Sequence, residues 1–130
     1  MGLDQYAYKV DKRAVDKPVD FDPSVSDADE IFVSEQISYW RKHANLQGWM
    51  HKLYFEKGGE DSDFNCSNLE LTSEDIDKLE ADVNSNSLPP TQGCFFGESI
   101  DEDKEDDLKF ISKAREAFAN GEAVYYSSWW

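Results

Sequence analysis

Leu46, Trp49, Met50, Leu53 and Tyr54 stand at the i, i+3, i+4, i+7, i+8 spacing of one helical face. Gly58-Gly59 follows and closes that helix. A helix with one apolar side needs a sheet or further helices to cover it, so the rest of the chain must supply them. Residues 3–10 alternate Tyr6, Tyr8 and Val10 to one side, which predicts a strand. Residues 122–130 end the chain in the same way, with Val124 and Tyr126 pointing one way and Tyr125 and Ser127 the other. Residues 30–40 are ambiguous: Ile31 and Val33 alternate like a short strand, whereas Ile37, Trp40 and, beyond them, Ala44 are spaced like a helix.

Thr72 or Ser73 caps a second helix whose apolar edge is Ile76, Leu79 and Val83. A turn and a short extended piece, residues 61–71, precede it. It ends before Pro89-Pro90. Cys94, Phe95 and Phe96 lie between Gly93 and Gly97 and read as a short buried strand. A run of acids then opens a third helix, about residues 103–119, with Leu108, Ile111, Arg115 and Phe118 tracing its face and Ala114 between them. Those acids suit the positive end of a helix dipole. Residues 11–30 carry two prolines, many acids and no period, and form an irregular or mobile loop. A connection so long in a compact domain is expected to be mobile or to lie over something. The chain reads as one α+β domain, residues 1–130: a small, mostly antiparallel sheet with about three packed helices.

Charge narrows the function. The chain has 28 acids against 13 bases and a formal net charge of −15. Residues 66–130 hold 15 acids and 5 bases, residues 1–65 hold 13 and 8. Phosphate backbones are bound by Lys and Arg that replace counterions, so no nucleic-acid partner is expected. The acids keep the protein soluble, complement a basic protein, or imitate DNA. No stretch approaches the length of apolar residues that spans a membrane, and no apolar run of a signal peptide follows Met1. The expected location is cytoplasmic, in a bacterial cell or a phage-infected host. Cys66 and Cys94 match no zinc spacing and are expected to be free, buried thiols.

Several groupings bear on chemistry. Asp61, Asp63 and Asn65 begin like a calcium loop, but Cys66 and Thr72 stand where that loop needs Gly and Glu. His43 and His51 are eight residues apart, about 80° around a helix, and make no joint metal site. No phosphate-cradling glycine motif occurs. Accordingly no metal, cofactor or catalytic residue is assigned. His43 lies among Arg41, Lys42 and Asn45, the main basic cluster of an acidic chain, where an anion could dock or where the protein's own acids could pair. A Cys66–His43 or Cys94–His43 nucleophile pair has little to support it.

The opening MGLDQYAYKV, then YWRKHANLQGWM, FNC, LELTSEDIDKL, LPPTQGCFFGES, a late ED and the closing VYYSSWW occur in that order. Together they resemble a family of small uncharacterised bacterial and tailed-phage proteins. The resemblance touches most of the chain except residues 11–30 and implies no activity. It draws attention to Tyr39, Trp40, Arg41, Lys42, Asn65, Cys66, Pro89, Thr91, Gly93, Phe95, Phe96, Gly97, Tyr125, Tyr126, Ser128 and Trp129. Gln47 stands where the family often has His, Phe64 where Asp is usual, and Cys94 where Phe is usual.

Two functions are carried forward. The favoured one is a non-enzymatic accessory protein that meets a basic protein partner through its acidic C-terminal half, with Glu98, Asp101, Glu102, Asp103, Glu105 and Asp106 as contacts. The other is a small-ligand or enzyme-like domain with an anion-binding pocket formed from Arg41, His43, Asn65, Thr91, Gln92 and Tyr126. Oligomeric state is left open.

Overall fold

A computed structural model describes residues 2–24, 31–93 and 96–130. Four strands form one antiparallel sheet: β1 (Asp4–Asp11), β2 (Glu35–Arg41), β3 (Leu69–Leu71) and β4 (Glu122–Trp129), in the spatial order β2-β1-β4-β3. Among the described residues, three α-helices complete the fold, α1 (Ala44–Glu56), α2 (Ser73–Asn84) and α3 (Asp103–Ala119), with a short 3-10 turn at Lys12–Ala14. The α+β reading therefore holds. β1 and β4 pair from Asp4↔Trp129 to Asp11↔Glu122, so the two ends of the chain form the middle of the sheet.

One sheet face carries Ala7, Trp40, Leu69, Leu71, Val124 and Tyr126, and all three helices share a cluster with it. The stripe Leu46, Trp49, Met50, Leu53, Tyr54 lies in that cluster as its spacing predicts, and each fully buried large side chain contributes about 1.5–3 kcal/mol. The opposite face carries Val10, Ala123 and Tyr125, covered by Ala14, Phe21 and Phe32. The arm after β1 is thus largely tied down over the sheet. Val19 bridges to Leu69, Asp20 N donates to Asn68 O (3.0 Å), and Glu70 N donates to Pro18 O (2.9 Å). Residues 25–30 of that arm lie outside the described residues.

The ambiguous stretch resolves against both readings: Ile31 and Val33 are exposed and precede β2, whereas Ile37 and Trp40 belong to β2, which pairs with β1, and α1 starts only at Ala44. Cross-strand bonding to β1 overrides the helical spacing of Ile37, Trp40 and Ala44. Cys94 and Phe95 lie outside the described residues, and Phe96 sits in a turn with its N donating to Gly93 O (3.2 Å). Cys66 is exposed, not buried, because Phe64 beside it fills the core instead. The face of α3 is also rotated from the expected one. Its buried residues are Asp103, Asp107, Phe110, Ile111, Ala114 and Ala117, while Leu108 and Arg115 lie outside. Arg115 instead reaches Glu80 (2.7 Å) and Asp77 (3.0 Å) of α2, an exposed tie worth little. The α2 cap is as predicted: Thr72 and Asp75 form a reciprocal capping box, and Lys57 adds an ion pair to Asp75.

Gly48 occupies the middle of α1, where glycine costs about 1 kcal/mol relative to alanine. A Cβ there would fall 1.9 Å from Thr91 Oγ1, so the loop after α2 lies directly on the helix backbone. We expect Gly48→Ala to destabilise the protein by about 1–3 kcal/mol through overpacking, despite its better helix propensity. Adding Thr91→Gly, which also removes the Cβ at 2.9 Å, should recover most of that loss, as a double-mutant cycle in urea will measure. Additive effects would show that Thr91 does not hold this contact.

Candidate functional site

Lys42 leaves β2 with a left-handed φ of 59° and turns the chain inward, so that His43 enters the core. Gln5 of β1 grips the His43 peptide from both sides. His43 N donates to Gln5 Oε1 (2.9 Å), and Gln5 Nε2 donates to His43 O (3.0 Å). The ring is only 3% exposed. Its Nε2 lies 2.9 Å from Asp107 Oδ2, and Asp107, 2% exposed, accepts at Oδ1 from Trp40 Nε1 (3.0 Å). Its Nδ1 lies 2.7 Å from Ser99 Oγ and 3.5 Å from Asp103 Oδ2.

A carboxylate only accepts, so Nε2 carries the proton that faces Asp107. Ser99 Oγ already accepts Asn45 N–H (3.0 Å) at the start of α1. With the single ring proton on Nε2, the Ser99 hydroxyl donates to Nδ1. Ser99, His43 and Asp107 form a relay of hydroxyl, imidazole and carboxylate, with the serine on Nδ1 and the acid on Nε2. Asp103 is tied by accepting Ile100 N (2.8 Å).

A cavity of about 310 Å³ opens beside this relay. Its polar wall includes His43, Asn45, Ser99 and Asp101, and its apolar wall is Val83, Leu88 and Ile100. A second groove of about 420 Å³, between α1 and α2, has Trp49 and Leu53 on its floor with Lys52 and Lys78 at its sides.

Of the six residues expected to form a ligand site, His43 lines the first cavity. Thr91 is one step removed, its N–H donating to Asn45 Oδ1 (3.0 Å). Tyr126 is fully buried behind the site, accepting from Gln5 Nε2 (3.0 Å) and donating to Gln47 Oε1. Burial holds the Tyr126 phenol well above its ordinary pKa, so it remains a donor. Gln47 in turn donates to Ser128 Oγ (3.0 Å), so its side chain is spent inside the core. Arg41 is exposed and pairs with Asp4 (3.0 Å). Asn65 binds the Trp130 backbone at both N–H and C=O (3.2 and 2.8 Å). Gln92 is exposed. Arg41, Asn65, Thr91 and Gln92 line neither cavity. Cys66 Sγ contacts Asn65 Oδ1 (3.6 Å) rather than His43.

Of the six expected partner contacts, Asp103 turns inward. Glu98, Asp101, Glu102, Glu105 and Asp106 are exposed. The calcium-like stretch is a turn closed on itself. Asp61 accepts from Asp63 N, Asn65 N and Ser67 Oγ, and these bonds, Ser67 first, lower its pKa. Ser99, Asp107 and Gln5 were not singled out by the sequence. For Asp107 a signal exists: Asp103 and Asp107 continue the Phe110, Ile111, Ala114, Ala117 stripe backwards at helical spacing.

Among the described residues, no group of His, Cys, Asp and Glu is arranged to hold a metal ion, and no helix is long and apolar enough to cross a membrane. Comparison with protein-family models, with curated proteins and with solved structures gave no match.

Removing Asp107 strands two buried donors, so Asp107→Ala is expected to cost about 3–5 kcal/mol in urea unfolding. Trp40→Phe removes one bond only and should cost about 1–3 kcal/mol. A cost below about 1 kcal/mol for Asp107→Ala would show that the relay does not organise the core.

His51 offers a pH test away from this site. Its ring stacks on Phe64 (5.2 Å) and lies 4.6 Å from Phe55, and its Nε2 has no hydrogen-bond partner. Burial lowers its pKa from 6.5, with Asp61 and Asp63 opposing. The unfolded chain therefore binds the proton more readily than the folded one. The stability gained is fully present above the ordinary value and is lost as pH falls through the lowered one. Comparing wild type with His51→Phe between about pH 7.5 and pH 5, the wild type should lose stability faster on acidification. Parallel curves would refute this.

Proposed function

We propose that the protein binds a basic protein partner through the exposed acidic face at the start of α3. The observation that carries this reading is the fate of the acidic run. Asp103 and Asp107 turn inward and fix the segment to His43, whereas Glu98, Asp101, Glu102, Glu105 and Asp106 face solvent. Among the described residues, none of these five makes an ion pair. Elsewhere acids such as Asp4, Asp75 and Glu80 are matched by Arg41, Lys57 and Arg115. Five unmatched carboxylates on an anchored segment make a preorganised negative surface, which steers and orients a positive one. The alternative of an anion pocket draws less support. Arg41 and Asn65 are satisfied by other parts of the chain, and the His43 ring faces carboxylates that repel an anion.

The test separates a local face from bulk charge. One variant carries Glu98→Gln, Asp101→Asn, Glu102→Gln, Glu105→Gln and Asp106→Asn. The control carries Asp16→Asn, Glu56→Gln, Glu60→Gln, Asp63→Asn and Glu74→Gln, with the same net charge. Titrated with a folded, strongly basic test protein at low ionic strength, the first should bind at least about tenfold more weakly than wild type and the control within about threefold. Equal weakening of both would refute the reading.

A further inference from the structure

We propose that Ser99 is an acyl-accepting nucleophile, with His43 as its general base and Asp107 as the residue that holds the ring, and that the adjoining cavity takes a small neutral or cationic carboxylic ester. This goes beyond partner binding and does not depend on it.

Four features of the geometry carry the proposal. The connectivity is that of an activated hydroxyl: Ser99 Oγ to His43 Nδ1 at 2.7 Å, then His43 Nε2 to Asp107 Oδ2 at 2.9 Å. The relay is held from behind, because Trp40 Nε1 fixes Asp107 and Gln5 fixes both ends of the His43 peptide. Such triads are recognised by geometry and role, not by which ring nitrogen or chain order is used. Ser99 also accepts the backbone N–H of Asn45, which favours negative charge developing on Oγ. Finally, Ser99 and His43 line a cavity of about 310 Å³, within the range of small-ligand sites.

Asn45 lines the same cavity, and its Oδ1 is engaged by Thr91 N, which leaves Nδ2 as the free donor for an oxyanion. Asp101, Asp103 and Asp107 on the wall outnumber its one cation, Lys104, and disfavour phosphate and carboxylate substrates, while Val83, Leu88 and Ile100 suit a short acyl chain.

The reaction balances as ester hydrolysis. Ser99 Oγ bonds to the carbonyl carbon while its proton passes to His43 Nδ1. The ester C–O bond breaks, and the leaving alkoxide takes that proton. Water then attacks the acyl-serine and gives a proton to Nδ1, and as the acyl C–O bond breaks Nδ1 passes that proton to Ser99 Oγ, releasing the carboxylic acid.

The probe is a neutral alkyl fluorophosphonate, which forms an O–P bond with an activated serine as fluoride departs. Wild-type protein is treated, digested and mapped by mass spectrometry, so no variant need fold. Ser99 should be modified at least about 100-fold faster than the exposed Ser112, the smallest gain expected of a positioned general base. A p-nitrophenyl acetate burst of one nitrophenolate per protein should accompany it, and Ser99→Ala should abolish both while keeping wild-type binding to the basic test protein. Modification of Ser99 no faster than Ser112 overturns the proposal and leaves the partner reading untouched. Loss of basic-protein binding by the five-site acidic variant, with Ser99 still labelled, supports both.

Discussion

The buried carboxylate of Asp107 is the constraint on which the core depends. A charge taken out of water is unfavourable by several kcal/mol unless its oxygens are bonded. Trp40 of β2 and His43 at the entry to α1 supply those bonds. Neither donor can be moved without moving an element, so the requirement of one side chain fixes the last helix against the second strand and the first helix. The Trp40 ring packs edge-on against Phe110, one turn further along α3. Polar satisfaction and apolar packing therefore specify the same register of α3.

A second polar layer lies behind the first. Gln5 reaches the His43 peptide and Tyr126, Tyr126 reaches Gln47, and Gln47 reaches Ser128. These groups come from β1, β4 and α1, so the chain's two terminal strands are bonded to the first helix inside the core. A network of this kind is favourable only when every member is satisfied. Each group just named has a partner, which is why a core with so many polar atoms is compatible with a stable fold.

Much of this architecture is legible in the sequence where one period or one cap decides. The stripe from Leu46 to Tyr54, the Thr72 cap and the Tyr126 alternation each correspond to an observed element. Residues 30–40 were not legible, because Ile37 and Trp40 carry a helical spacing and only pairing with β1, with a register irregularity that skips Ile37, makes them a strand. The site was hidden for a different reason. Reading Asp103 and Asp107 as exposed shifts the inferred face of α3 towards Leu108 and Arg115, which lie outside the core. His43 drew notice as part of a basic cluster, but its company is decided by α3, some sixty residues away in sequence, and that proximity has no local signature. The fold reading of the prolines and glycines around Thr91 likewise could not show that Thr91 lies on the bare backbone of Gly48.

The acidic run is therefore divided between core and surface, within α3 by helical phase. Residues 103 and 107 are one turn apart and face inward, while 101, 102, 105 and 106 fall on the outer side. Rotating the run by one residue, about 100°, would bring a solvated acid into the core and expose the one that holds His43. Composition cannot distinguish these arrangements, since both have the same charge. In the observed phase, Asp103 and Asp107 face His43, while Glu98, Asp101, Glu102, Glu105 and Asp106 are exposed and Asp101 among them lines the cavity. A cationic group drawn to that surface would be concentrated where Ser99 and the cavity lie, so the charge of the face and the chemistry of the site favour the same kind of visitor.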